Sequence, residues 1–197
     1  MRLLLASKSA TRRRMLEAAG VPFATAEAGF DEESAKAQLR AGRVGAAELA
    51  LALAEAKALA VDAGPEALVL GSDQVLERED GSVLDKAGSR GELAEQLRSL
   101  RGRPHRLHSA AVAVAAEKPV WRAAETVTLH MRRFSDAFLE SYLGREYDEV
   151  RWSVGGYNAE GRGAQLFERI EGSHFAVLGL PLLPLLEFLR ERGILPV

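Results

Sequence analysis

The hydrophobic pattern is most continuous at Leu68–Leu70, where branched apolar residues follow one another. Such a run predicts a strand that is buried on both faces, and we expect it to end at Gly71. Ser72, Asp73 and Gln74 follow directly. Ligands of α/β sheets collect at the carboxyl ends of strands, so this segment is the first candidate site. The alternative is that Asp73 only caps a turn.

Strand and helix signals follow one another along the rest of the chain. Ser9 is a suitable N-cap for a helix that Gly20 and Pro22 end, and Asp80-Gly81 is a hairpin turn signal. A further glycine-rich loop spans residues 155–163. The predicted strands are residues 2–6, 75–76 with 83–84, 107–115, 120–131 and 175–180; the predicted helices are residues 9–20, 33–42, 46–61, 89–102, 135–143 and 185–192.

Composition limits the class of protein. The 197 residues, 47% hydrophobic and 27% charged, fit one globular domain over residues 1–197 or two small lobes that share a cleft. The absence of cysteine excludes disulfides and thiolate metal sites. No apolar run reaches the length of a membrane span, and the N-terminal run is too short for a signal peptide. We therefore expect a cytoplasmic protein without a membrane partner.

Charge is nearly balanced overall but uneven locally. A formal net charge of −2 argues against a general nucleic-acid binder. The first strand is nevertheless followed by Ser7, Ser9, Arg12 and Arg13 at a predicted helix start. Free backbone N–H groups, hydroxyls and guanidinium groups together predict a phosphate site. The alternative is a solvated basic turn with a serine cap.

Two lysines and two histidines are further titratable candidates. Lys57 continues the apolar stripe of the long helix, and it either extends to the solvent edge or contacts a phosphate. Lys86 lies in a loop after the predicted hairpin. His105 and His108 lack a third ligand at metal spacing, so we interpret them as structural or surface residues.

Several segments together resemble the Maf family of nucleoside triphosphate pyrophosphatases. The similarity is carried, in order, by residues 5–9 with Arg12-Arg13, Phe30-Asp31-Glu32, residues 53–58, Gly71-Ser72-Asp73-Gln74-Val75, the loop 155–163 and Gly179-Leu180-Pro181-Leu182. No single motif is decisive, but the ordered set is specific and covers nearly the whole chain.

The resemblance implies an α/β fold, with an elongated mixed β-sheet, flanking helices and two lobes around a central cleft, as in Maf and inosine-triphosphatase-like proteins. It implies cleavage of a nucleoside triphosphate to monophosphate and pyrophosphate with a divalent metal. By position, Asp73 matches the catalytic acid, and Glu32, Lys57 and Lys86 match other charged cleft residues. The family's phosphate-binding turn is matched by Ser7, Ser9, Arg12 and Arg13.

The chemistry of these residues is coherent with that activity. Asp73, with Glu32, could bind Mg²⁺ or Mn²⁺ as hard oxygen ligands, or Asp73 could take a proton from water. The sequence leaves both roles open. Lys57, Lys86 and the two arginines could offset charge on the triphosphate and the leaving group.

The chain departs from the family pattern at two places. Ala10 stands where a proline usually follows the second serine, and Asp85-Lys86-Ala87 replaces Gly-Lys-Pro, which leaves the role of Lys86 less defined. Two further functions remain open: a nucleotide-binding regulator of cell division or septum formation with little turnover, and a phosphatase releasing orthophosphate. The resemblance to the family also implies a homodimer.

Substrate choice within the family turns on three positions, which fall on Thr11, Gln74 and Glu160. Two of the three match members that act on 7-methyl-GTP. A carboxylate at Glu160 could accept both N1–H and the 2-amino group of guanine. We therefore expect a modified purine nucleotide such as 7-methyl-GTP, whose removal would keep it out of nucleic acid; the alternatives are a preference for dTTP or UTP, and a Glu160 that only pairs with Arg162.

Overall fold

A computed structural model of the chain describes residues 1–27, 29, 31–42 and 44–197, leaving aside the side chains of residues 32, 33, 40 and 41. The strands are β1 (Arg2–Ala6), β2 (Ala24–Thr25), β3 (Ala67–Arg78), β4 (Val83–Leu84), β5 (Pro104–Ala115), β6 (Lys118–Met131) and β7 (Phe167–Glu171). The helices are α1 (Ala10–Ala18), α2 (Glu32–Ala41), α3 (Ala46–Leu59), α4 (Arg90–Leu100), α5 (Asp136–Val150), α6 (His174–Val177) and α7 (Leu182–Glu191), with a 3-10 helix at Arg162–Leu166.

The sheet is mixed and has the strand order β2-β1-β3-β5-β6-β7, with β4 paired to β3. β1 runs parallel to β2 and to β3, with Leu5 opposite Leu70 and Ala6 opposite Gly71. β4 is antiparallel to β3, and β7 is antiparallel to β6. Helices flank this sheet, so the α/β class with a mixed sheet is confirmed.

The chain divides into two compact units. The first comprises residues 1–74, 109–125 and 173–197, and the second comprises residues 75–108 and 126–172. In the first unit, leucines from β1 and β3 form a core with α1 and α7. In the second unit, α4 contacts α5, and both helices bury leucines such as Leu97 and Leu143. No helix among the described residues is long and apolar enough to cross a membrane.

Most elements with strong local signals form as predicted. The Ser9 hydroxyl caps α1 by accepting the backbone N–H of Arg12 at 3.3 Å. α3 and α4 keep their predicted positions, and Gly81, with φ of 80°, lies in the turn between β3 and β4. β5 and β6 are joined through Ala116 and Glu117, both with positive φ, as a tight hairpin turn requires.

Three predictions from the sequence are wrong: the end of one strand, the end of one helix and the type of one element. The central strand does not end at Gly71: β3 continues to Arg78, so Asp73 lies inside a strand. The helix that Ser135 caps continues past Leu143 to Val150, so Gly144 lies inside a helix and does not end it. Residues 175–180 do not form a strand: α6 occupies His174–Val177. β2, β7 and the 3-10 helix were not predicted from the sequence.

Candidate active site

A buried ion pair joins α3 to the central strand β3. Asp73, in β3, is 7% exposed, and Lys57 comes from the last turn of α3. The Lys57 Nζ lies 2.6 Å from Asp73 Oδ1, and the two side chains are 13% and 10% exposed. Lys57 therefore contacts a buried carboxylate and does not simply extend to the solvent edge.

The closeness of α3 and β3 depends on Gly71. A Cβ at this position would overlap the Ala54 carbonyl oxygen and lie 2.8 Å from the Ala58 backbone nitrogen. Gly71 and Asp73 are two residues apart on a strand, so both face α3. The missing side chain thus lets α3 approach until Lys57, one turn along, reaches Asp73.

The carboxylate of Asp73 has one oxygen engaged. Oδ1 accepts from Lys57, and the structure records no hydrogen bond from the described residues to Oδ2. An oxygen of this kind fits a hard divalent cation or a water molecule. The side chain of Glu32, the other predicted metal ligand, lies outside the described residues, as does Phe30. The described residues contain no cluster of three His, Cys, Asp or Glu side chains at metal-binding distance.

Three of the four residues of the predicted phosphate turn lie close together. Arg12 Nη1 donates to the Ser7 hydroxyl at 3.2 Å and to the Ser72 carbonyl at 3.0 Å. Its Nε donates to the Gly179 carbonyl at 2.8 Å. Ser7, Ser9 and Arg12 are therefore brought together next to the residue that precedes Asp73. Arg13 instead points to solvent, 3.9 Å from Glu17.

The three predicted specificity residues differ in exposure and in the unit to which they belong. Thr11 is partly exposed in the first turn of α1. Gln74 is partly buried, and its side-chain nitrogen lies within hydrogen-bond distance of Ser109 Oγ and of the Ala176 and Val177 carbonyls. Glu160 is exposed in the second unit.

Lys86 and the glycine-rich loop also belong to the second unit. Lys86 is exposed, and its loop is fixed at Asp85, whose carbonyl accepts from Gln96 at 3.0 Å. Within the glycine-rich loop, the Glu160 backbone N–H donates to Asn158 at 3.0 Å. Arg162, offered above as a partner of Glu160, lies 3.2 Å from Glu146.

Two buried histidines of the second unit have structural partners. His105 is 2.8 Å from the Tyr157 hydroxyl, and His108 bridges Thr126 and Glu77 at 3.0 and 3.1 Å. Burial lowers the pKa of His105 to about 4, with a smaller contribution from His130, and burial also raises the pKa of Tyr157. His105 is therefore neutral near pH 7 and supports the start of the glycine-rich loop.

Comparison with known proteins identifies the family of the chain. The sequence profile of the family described as "Maf-like protein" matches residues 2–192. The chain belongs to this family. A protein of Sphingopyxis alaskensis named "Nucleoside triphosphate pyrophosphatase" is 46% identical over 100% of both chains. Proteins of the same name from Caulobacter vibrioides and Maricaulis maris are each 47% identical, covering 98% of this chain and 96% and 98% of their own.

Ser72 and Gly179 stand in segments that the sequence singled out, but no contact was predicted for either, and Ser109 was not predicted to belong to the site of this Maf-like protein. Ser72 and Ser109 are fully buried serines, and Gly179 has a φ of 98° that favours glycine. The Ser72 hydroxyl lies 2.8 Å from the Ala110 carbonyl and 3.1 Å from the Gly179 carbonyl. The available signal was the alternation of side chains along the strand, which places Ser72 and Asp73 on opposite faces.

Proposed function

We propose that this Maf-like protein is a nucleoside triphosphate pyrophosphatase that releases a nucleoside monophosphate and pyrophosphate. The observation that carries the proposal is the buried Asp73–Lys57 pair, one residue from the Ser72 carbonyl that anchors Arg12. An acid, a cation and a helix start with a serine cap supply the groups that phosphoanhydride hydrolysis needs. The names of relatives at 46–47% identity support the same activity.

The residues of the chain suggest how the reaction proceeds. The water oxygen attacks the α-phosphorus, the bond from that phosphorus to the bridging oxygen breaks, and pyrophosphate leaves. In this proposal Asp73 Oδ2 accepts the proton of the attacking water, while Lys57 holds Oδ1 and fixes the carboxylate in place. Backbone N–H groups at the start of α1 and the hydroxyls of Ser7 and Ser9 bind phosphate oxygens, and Lys86 offsets charge on the leaving group.

A divalent cation fits the oxygen donors of this site. Glu32 would hold Mg²⁺ or Mn²⁺, which prefer carboxylate ligands; in the alternative to its role as base, Asp73 would join Glu32 as a ligand through Oδ2. When bound, the cation would neutralise phosphate charge and favour departure of pyrophosphate. Arg12 is mainly a structural residue in this scheme, because Nε and Nη1 already donate to protein acceptors.

The proposed substrate is a modified purine nucleotide such as 7-methyl-GTP. Glu160, exposed in the glycine-rich loop, offers a carboxylate that can accept two adjacent donors of guanine. Thymine or uracil presents acceptors on either side of one donor, which a carboxylate would repel. Thr11 lacks an aromatic plane for stacking on a cationic base, so we expect modest selectivity.

The test is hydrolysis of a nucleotide panel by the purified chain, with pyrophosphate and orthophosphate measured separately. We expect pyrophosphate as the main product, loss of activity in excess EDTA, and 7-methyl-GTP as the preferred substrate. Orthophosphate as the main product would contradict the reaction, and tight nucleotide binding without turnover would favour the regulator.

The Glu160→Gln variant tests the choice of base. It should lose activity on guanine-type nucleotides more than on pyrimidine nucleotides, because it exchanges one acceptor oxygen for a donor. A wild-type preference for dTTP or UTP would contradict the substrate while leaving the reaction intact.

A further inference from the structure

Gln74 lies on the opposite face of β3 from the catalytic acid. Gly71 and Asp73 face α3, whose Ala58 and Lys57 they contact. Side chains alternate along a strand, so Ser72 and Gln74 face the other side. There they contact the α6 turn, which we define as residues 173–180.

The α6 turn presents its last carbonyls to these side chains. Ser109 Oγ donates to the Ala176 carbonyl at 2.6 Å, and Gln74 Nε2 lies 3.0 and 3.1 Å from the Ala176 and Val177 carbonyls. The Gly179 carbonyl accepts from Ser72 at 3.1 Å and from Arg12 at 2.8 Å. All of these residues belong to the first unit.

These contacts have a clear physical reason. The last carbonyls of a helix have no partner within the helix, and those of α6 point towards the buried sheet. Leu180 N–H donates to the Phe175 carbonyl and Gly179 N–H to the Ala176 carbonyl, which is the usual glycine-terminated helix end. The side chains from β3 and β5 supply further donors for carbonyls that this helix end exposes.

The donor capacity of Gln74 is used up by these contacts. A glutamine amide carries two N–H hydrogens, and three acceptors surround Nε2: Ser109 Oγ, the Ala176 carbonyl and the Val177 carbonyl. The nitrogen therefore has no hydrogen left for a nucleobase unless these contacts break.

We infer that Gln74 is a positioning residue, which fastens β3 to the α6 turn and so holds Asp73 at the place where Lys57 and the substrate meet it. This inference rests on the proposed pyrophosphatase function and differs from a role for Gln74 in reading the base. Ser72 and Ser109 act in the same way, since each joins a strand to the turn or to the neighbouring strand.

The experiment compares wild type, Gln74→Met and Ser109→Ala over the same nucleotide panel, at a temperature where circular dichroism shows all three folded. A positioning role predicts that kcat falls about 10–100-fold for every nucleotide, because small misplacements of reacting groups are costly. The ratios of kcat/KM between nucleotides should stay unchanged. Gln165→Met, the same substitution at an exposed position, should behave as wild type.

Two measurements separate failure of this inference from failure of the proposed function. No pyrophosphate release by wild type would contradict the function. Release by wild type together with a reordered nucleotide preference in Gln74→Met, or with undiminished kcat, would contradict only the positioning role. Independently of turnover, the stability losses of Gln74→Met and Ser109→Ala should be less than additive in the double variant, and full additivity would contradict their coupling.

Discussion

Replacing Gly71 by alanine tests how the approach of α3 to β3 creates the Asp73–Lys57 pair. The new methyl group would overlap the Ala54 carbonyl oxygen and lie 2.8 Å from the Ala58 nitrogen and 3.0 Å from its Cβ. These atoms belong to the helix backbone or to a fully buried alanine, so no flexible side chain can move aside. We expect α3 to shift away from β3.

The size of the effect follows from two opposed contributions. Forcing an extra carbon into a packed interior costs about 1–3 kcal/mol of unfolding free energy, whereas alanine recovers about 0.5–1 kcal/mol of backbone entropy relative to glycine. The net loss should lie between about 0 and about 2.5 kcal/mol. Lys57 moves with α3, and a misplacement of about 1 Å can cost about 100-fold in rate. We therefore expect the rate of pyrophosphate release to fall strongly in a protein that is still folded.

Urea denaturation measures the unfolding free energy, and pyrophosphate release measures the rate. Gly144→Ala is the matched control, because nothing lies within 4 Å of a Cβ at that position of α5. It should stabilise the protein by about 0.5–1 kcal/mol and leave the rate unchanged. A Gly71→Ala variant as stable and as active as wild type would show that α3 and β3 do not depend on this contact.

Three further predictions concern titratable groups. Asp73→Asn should lower pyrophosphate release about 10²–10⁴-fold in a folded protein, and wild-type turnover would refute its role. Lys57→Met leaves a buried carboxylate unpaired and should cost about 3–5 kcal/mol in urea denaturation; the double variant with Asp73→Asn should recover part of this, and an undiminished single variant would contradict the pairing. Because burial lowers the pKa of His105 to about 4, the unfolded chain binds the proton first, so stability should fall by up to about 3 kcal/mol as pH drops from about 6.5 to about 4. This dependence should weaken in His105→Gln, measured by melting temperature against pH, and an equal slope in both proteins would contradict it.

Elements with local signals could be predicted from the sequence alone. Ser9 caps α1 through its own neighbouring backbone, and Asp80-Gly81 turns the chain between β3 and β4 because glycine tolerates the positive φ there. The ordered motifs also led to the family, which the match over residues 2–192 shows. In each case the residues that decide the outcome lie close together in the chain.

The extent of the central strand could not be predicted in this way. Ser72, Asp73 and Gln74 look like the end of a buried strand, since burying a polar side chain is costly without a partner. Their partners lie far along the chain: Ser72 bonds to Ala110, Asp73 to Lys57, and Gln74 to Ala176. The apolar run 175–180 is ambiguous for the same reason, because strand and short buried helix share one pattern.

The tertiary structure also decided what each polar residue of the strand does. Composition and order placed Ser72, Asp73 and Gln74 in one candidate site, but the alternation of side chains directs Asp73 to α3 and its two neighbours to the α6 turn. From the sequence, Gly71 was expected to end the central strand. In the fold it lies within the strand and allows Ala54 and Ala58 of α3 to approach closely. A sequence specifies which donors, acceptors and small residues exist; only packing between distant segments decides which of them satisfy one another and which remain for a substrate.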